Sequence, residues 1–223
     1  LLIRIRYQIA RLLRILINNH SNKKAAPNFG AVNFFRGGKM IVQQSTKELL
    51  AESLKELAKF KAVDKITIKE LTQNCGLTSP TFYNHFHDKY DLMAWIYNQK
   101  VEESIKNFGV TMNFEEVVRR WMEIVLEDKE FFLNLLKNAV GQNSFRYTTN
   151  DYAINLLADW IKTRHNLQEL TPEICFCLRF YMRGISEFVN DWALDKWDCT
   201  PREMAKFFIA AMPAPLKPLL LQI

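Results

Sequence analysis

TIKELTQNCGLTSPTFYNHFHDKYDL, residues 67–92, carries three helix starts and two helix stops within 26 residues. Thr67 stands where an N-cap belongs and Glu70 follows three residues later, the spacing of a capping box. The helix it opens is short, because Cys75-Gly76 supplies the residue that adopts a left-handed backbone just past a helix end. Thr78 or Ser79 caps the next helix, with Pro80 tolerated in its first turn, and that helix is expected to run to about Phe86. His87-Asp88-Lys89 breaks the pattern, and Asp88 caps a further helix from Tyr90 to about Asn107. Two short helices joined by a glycine-containing turn have the plan of a helix-turn-helix.

Upstream, Ser45 or Thr46 caps a helix with an apolar stripe of Leu50, Leu54, Leu57 and Ala58 and a charged opposite face. Leu71, Cys75, Leu77, Phe82 and Phe86 are expected to pack on that stripe. Thr78, Ser79, Thr81, Tyr83, Asn84 and His85 are then left polar or outward on one short helix. About seven residues at 1.5 Å rise span roughly 10 Å, which fits a major groove about 12 Å wide. Hydroxyls at a capped helix start suit phosphates, and Asn pairs bidentately with adenine. Lys89 is placed to reach a phosphate from the start of the following helix. The candidate DNA-binding set is therefore Thr67, Thr78, Ser79, Thr81, Tyr83, Asn84, His85 and Lys89. The competing reading is that Tyr83 and His85 only close the three-helix core.

The 223-residue chain is 48% hydrophobic with seven glycines and seven prolines. Apolar residues three and four apart dominate, so the expected class is all-α. The expected architecture is an N-terminal three-helix DNA-binding domain at 40–92 and a helical ligand-binding and dimerisation domain at 93–223. Helical segments are expected near 114–126, 129–141, 149–164, 172–195 and 201–211, with Pro172 and Pro201 each following a capping Thr. The tail after Met212, with Pro213, Pro215 and Pro218, is expected to leave helix. The two last long helices are the candidate dimer interface: Gly184 permits close approach, and Phe188 and Trp192 follow at four-residue steps. Among the many aromatics, Trp121, Phe132, Tyr152 and Phe180 are candidates for an apolar effector pocket, with ordinary core as the alternative. Four scattered cysteines fit a reducing, cytoplasmic setting and no disulfide scaffold. Cys175 and Cys177 reach different helix faces with no further ligands nearby, so neither a metal nor any cofactor is expected. No nucleophile–base signature or glycine-rich phosphate loop points to an enzyme.

Charge is unevenly placed. Eight of the 30 Lys/Arg and none of the 24 Asp/Glu fall in residues 1–39, so the remainder is net −2. Attraction to nucleic acid must then come from a local patch. Three readings of 1–39 stay open: upstream sequence translated from a misassigned start before Met40, a disordered or partly helical arm, or a basic amphipathic helix that seeks a membrane surface. No apolar run there is long enough to span a membrane, and no membrane partner is expected.

Tyr83-Asn84-His85-Phe86, then Lys89, then Asp91-Leu92, resemble the marks of the N-terminal domain of TetR-family regulators, over about Thr46 to Val101. Thr72 departs from the pattern, which usually has Ala there. The resemblance implies that Thr78, Tyr83 and Lys89 hold phosphates while Ser79, Thr81 and Asn84 lie nearest base edges. It also implies a homodimer on a near-palindromic duplex. Residues 90–97, 180–192 and 200–205 resemble, more loosely, a subgroup of dihydroxyacetone-kinase regulators, some of which are thought to activate transcription with a partner protein. Either a small apolar effector or a partner regulatory protein is therefore the expected source of regulation.

Overall fold

The computed structural model describes residues 45–139 and 143–222, with the side chains of 143–148 left out. The expectations for residues 1–39 lie outside that range. Among the described residues the elements are helical: α1 Thr46–Ala58, α2 Ile68–Asn74, α3 Ser79–Tyr83, α4 Lys89–Ile105, α5 Phe114–Glu127, α6 Lys129–Asn138, α7 Asn143–His165, α8 Pro172–Ala193, α9 Pro201–Ala210 and α10 Lys217–Leu220. Short 3-10 turns precede α2, at Val63–Lys65, and α10, at Ala214–Leu216. Among the described residues no helix is long and apolar enough to cross a membrane.

Local chemistry accounts for most boundaries. Ser45–Glu48, Thr67–Glu70, Asn113–Glu116 and Thr200–Glu203 form reciprocal capping boxes, each satisfying two N–H groups that a helix start leaves without partners. Thr78 accepts from the Thr81 N–H, and Asp88 Oδ1 accepts from the N–H groups of Tyr90 and Asp91. Gly76 takes φ +69° just beyond α2, where a side chain would strain the backbone. α3 is shorter than its pattern suggests: Asn84 is its C-cap, and a turn carries the chain through His85. Such a helix is too short to persist by itself; its one buried residue, Phe82, ties it to the core. The C-terminal tail also departs from expectation. Pro213 is the N-cap of the 3-10 turn, Pro215 and Pro218 sit at first-turn positions, and Leu216 and Leu220 are fully buried, so burial holds the tail in helical turns.

Among the described residues two apolar clusters form the interior. The N-terminal one is built on Leu50, Leu54, Leu71, Phe82, Phe86 and Leu92. It does not stop at residue 92: Met93 and Ile96 of α4, and Leu135 and Ala139 at α6, complete it. The C-terminal cluster joins α5, α7, α8, α9 and the tail through Met122, Leu157, Ile161, Leu178, Trp192 and Phe208. Thr72, the departure from the family pattern, is buried but satisfied within its own helix, donating to the carbonyls of Ile68 and Lys69 at 2.9 and 3.2 Å. A hydroxyl there needs no partner from α1.

Glu70 supports the start of α2 beyond its cap. Its carboxylate accepts from Lys61 Nζ at 2.7 Å, and from the Thr67 N–H and hydroxyl at 2.8 Å each. The Lys61 hydrogen bond first, then those from Thr67, hold its pKa down to about 2 from 4.5. A lowered folded-state pKa means stabilisation that is complete above about pH 4.5 and lost as pH falls toward 2. Thermal unfolding midpoints should therefore fall over that window, and Glu70→Gln should flatten the dependence. An unchanged slope in the variant would contradict this assignment.

Candidate nucleic-acid interface

The face that α3 presents is polar because its single apolar anchor is turned inward. Phe82 is fully buried, with its ring 5.5 Å from Tyr83 and 5.8 Å from Phe86, and Phe86 in turn meets Trp95 at 6.0 Å. Around this anchor Thr78, Tyr83, Asn84 and His85 are exposed, and Ser79 and Thr81 are partly exposed. Thr81 Oγ1 lies 2.9 Å from Thr78 Oγ1, so both hydroxyls help to close the first turn. Thr67 is exposed too, but its hydroxyl belongs to the capping box with Glu70. Thr78, Ser79, Thr81, Tyr83, Asn84 and His85 thus all keep surface on α3 and its flanks, and Thr67 does so at the start of α2.

Lys89 behaves differently from its sequence reading. Its ammonium donates to the carbonyls of Asp64 and Ile66 at 2.5 and 3.0 Å and sits 5.6 Å from the Tyr90 ring centroid. Burial, the leading cause, lowers its pKa, with Asp64 opposing. The ammonium that was expected on a phosphate is used to hold the loop before α2.

Lys47, which sequence reasoning passed over as one more charged residue of α1, lies 5.4 Å from the Phe86 ring centroid and 5.9 Å from that of Trp95. That places a cation beside the exposed surface, at distances where aromatic faces attract it. Burial, then the Lys47 charge, push the pKa of His85 below its ordinary value. Both effects favour the uncharged imidazole.

The C-terminal candidates divide by helix face. Along α8, relative exposure is 69% at Phe176, 69% at Phe180, 45% at Phe188 and 6% at Trp192. Two corrections follow. Trp192 is core within one protomer, its indole N–H donating to the Cys199 carbonyl at 2.8 Å, and has almost no surface left for a second subunit. Phe180 stacks on Phe176 at 6.1 Å on the outer face and lines no interior pocket. Phe176 shares this outer face of α8, and Phe207 of α9 is exposed as well. A side chain added at Gly184 would meet nothing within 4 Å, so that part of α8 is open to close approach.

Of the other pocket candidates, Trp121 and Phe132 meet edge-on at 6.3 Å beside Tyr97. They border a void of about 30 Å³; Phe132 also borders a second, of about 20 Å³, near Ser186 and Asn190. Each has room for a water, whereas organic ligands occupy about 300–1,000 Å³. Tyr152 is engaged by a hydrogen bond from its hydroxyl to Glu102. Cys175 and Cys177 are partly buried, and Cys177 packs on the C-terminal cluster.

Residues 112–213 match a family described as the transcriptional regulator C-terminal region, of TetR type. A 62-residue stretch is 27% identical to the HTH-type dhaKLM operon transcriptional activator DhaS of Lactococcus lactis subsp. lactis (strain IL1403), covering 28% of this chain. The chain thus spans about a third (33%) of the length of that curated relative. In three dimensions the chain resembles the dihydroxyacetone kinase operon activator DhaS, with TM-score 0.56, 17% identity and coverage of 77% of this chain and 96% of that one. It also resembles a TetR transcriptional regulator from Rhodococcus sp. RHA1 (0.54, 14%, 78% and 96%) and a TetR-family regulator from Streptomyces coelicolor (0.53, 15%, 79% and 86%). At these identities the likeness is one of fold.

Proposed function

We propose that the chain is a TetR-type transcriptional regulator, as the match of residues 112–213 supports, and that it acts as a homodimer gripping a near-palindromic DNA site through α2 and α3. The observation that carries this reading is the polarity of α3: Phe82 inward, with Thr78, Tyr83 and Asn84 outward on a three-helix mount. A single α3 reads too few bases for a unique site, so two copies are needed. Phe176, Phe180, Phe188 and Phe207 form the surface through which a second copy is held, with Gly184 admitting its backbone.

Asn84 and Ser79 lie nearest base edges, and Tyr83 and Thr78 toward phosphates. Asn84→Ala should relax preference at one position of each half-site by about 1–3 kcal/mol per contacted base, with little change in the salt slope. Loss of a phosphate contact would instead weaken all sequences alike and make that slope shallower. Titrating parent and variant against duplexes selected in vitro by the full chain tests the assignment. A variant that keeps the parent's base preference would remove Asn84 from the reading contact.

A second reading concerns regulation. The voids of about 20 and 30 Å³ beside Phe132 favour control through a partner protein over a small apolar effector lodged between helices. The related DhaS of Lactococcus lactis is a transcriptional activator of an operon. Transcription reconstituted from purified polymerase, the selected duplex and this chain separates the alternatives. A response to added small molecules with no further protein would favour direct sensing.

A further inference from the structure

Asn134 sits midway along α6, and its carboxamide bonds chiefly to the chain segment that leads into α2. Nδ2 donates to the carbonyls of Ala58 and Lys61 at 2.7 and 2.8 Å. Oδ1 accepts from the Val63 N–H at 3.0 Å and from Asn138 Nδ2 at 2.9 Å. A primary amide has two N–H donors and an oxygen with two lone pairs, so its capacity is filled. Ala58 is the last residue of α1, where carbonyls run out of helical partners, and Val63 opens a 3-10 turn whose first N–H has none. One side chain from outside the three-helix unit therefore satisfies three backbone groups inside it. Lys89 then fixes the next turn through Asp64 and Ile66, and Thr67, the cap of α2, follows at once.

Among the described residues, two helices join the α1–α3 unit to the rest of the protomer. One is α4, continuous from the N-terminal cluster at Met93 and Ile96 to the C-terminal cluster at Ile105. A single helix leaves swivel and bending open. The second path is α6: Leu135 is buried in the N-terminal cluster while Phe132 and Leu136 pack on the C-terminal one. At its start, Asp128 pairs with Lys55 of α1 at 3.2 Å and with Lys100 of α4 at 3.8 Å. Ion pairs of this exposure are weak constraints. The Asn134 bonds are directional, and breaking them leaves several backbone groups without partners together, so they admit one arrangement and not a range.

We propose that Asn134 is a positioning residue that fixes the orientation of α2 and α3 against the dimer-forming body, and so sets the half-site spacing that the dimer accepts. This rests on the reading of a DNA-binding dimer given above. The tilt of the α1–α3 unit in each protomer is doubled by the two-fold axis, so a small loosening at Asn134 spreads the separation of the two recognition helices.

The test uses the full chain and the duplex recovered by in vitro selection, remade with one or two base pairs inserted or removed at its centre, beside a duplex holding one half-site. The parent should lose about tenfold or more in affinity at each altered spacing, since half-sites are matched by geometry. Asn134→Ala should reduce that discrimination to about threefold or less, with half-site affinity and dimer sedimentation close to those of the parent. A merely structural role would lower the melting temperature but leave the spacing profile in place, and that profile, kept in Asn134→Ala, would overturn the proposal. Should Asn134→Ala fail to fold, Asn138→Ala removes only one bond from Oδ1. Partial broadening is expected there, and a parent-like profile would be equally contrary. A parent that binds neither duplex would sink the DNA-binding reading and this proposal with it, a result distinct from unaltered discrimination.

Discussion

Replacing Phe82 with alanine is expected to destabilise the chain by about 3–5 kcal/mol, the range for a fully buried Phe truncated to Ala, and to abolish duplex binding. α3 has five residues and only Phe82 among them is buried, so its position depends on one ring. That ring meets Tyr83 edge-on and Phe86 at a tilt, and each aromatic pair adds about 0.5–1.5 kcal/mol beyond area burial. Set against a typical total stability of about 5–15 kcal/mol, the loss is a large fraction. It should appear first as exchange of the amides of residues 78–86, and duplex binding should fail before the global transition. Phe82→Leu keeps an apolar plug and should retain most of the stability. Urea unfolding combined with duplex titration checks both variants; a Phe82→Ala protein with the parent's midpoint and affinity would contradict the account of α3.

The second large effect is predicted at the outer face of α8. The pair Phe176→Glu and Phe180→Glu should leave the fold intact, since both rings are largely in solvent in the protomer. In a dimer held through this stripe the substitutions bring four carboxylates into the interface. Burying a charge without a partner costs several kcal/mol, and about 3 kcal/mol already amounts to more than a hundredfold in dissociation constant. Analytical ultracentrifugation should therefore find monomer where the parent is dimer, with circular dichroism unchanged and affinity for the selected duplex reduced at least about a hundredfold. A dimer of parental strength would move the interface elsewhere. Trp192→Ala should behave in the opposite way, losing about 3–5 kcal/mol of stability before any effect on association, because its ring is core and its N–H holds the Cys199 carbonyl.

The contrast between Phe188 and Trp192 shows where sequence reading stops. Four-residue steps look like one face, yet each step turns about 40° beyond a full rotation at 3.6 residues per turn. From Gly184 to Trp192 the drift reaches about 80°, and exposure falls accordingly from Phe180 to Phe188 to Trp192. Pattern shows that a stripe exists, and only packing shows where it sinks into the core. Features closed within three or four residues were readable in advance: the Thr67–Glu70 box, the Asp88 cap, and the Thr171-Pro172 and Thr200-Pro201 starts. Features that depend on distant chain were not. Lys89 meets carbonyls 23 and 25 residues away, and Asn134 meets a loop more than 70 residues away. The one local hint at Asn134 was a poor helix former in the middle of a helix. Thr67 was placed correctly as a cap, and its hydroxyl is used there, a competition between capping and DNA contact that spacing cannot resolve.

In vitro selection of random duplexes by the full chain, followed by sequencing, is the most direct trial of two outward-facing α3 helices acting together. The recovered sites should converge on a two-fold near-palindrome, with Asn84→Ala losing preference symmetrically in both halves. Convergence on a site without two-fold symmetry, or no enrichment at all, would contradict the account.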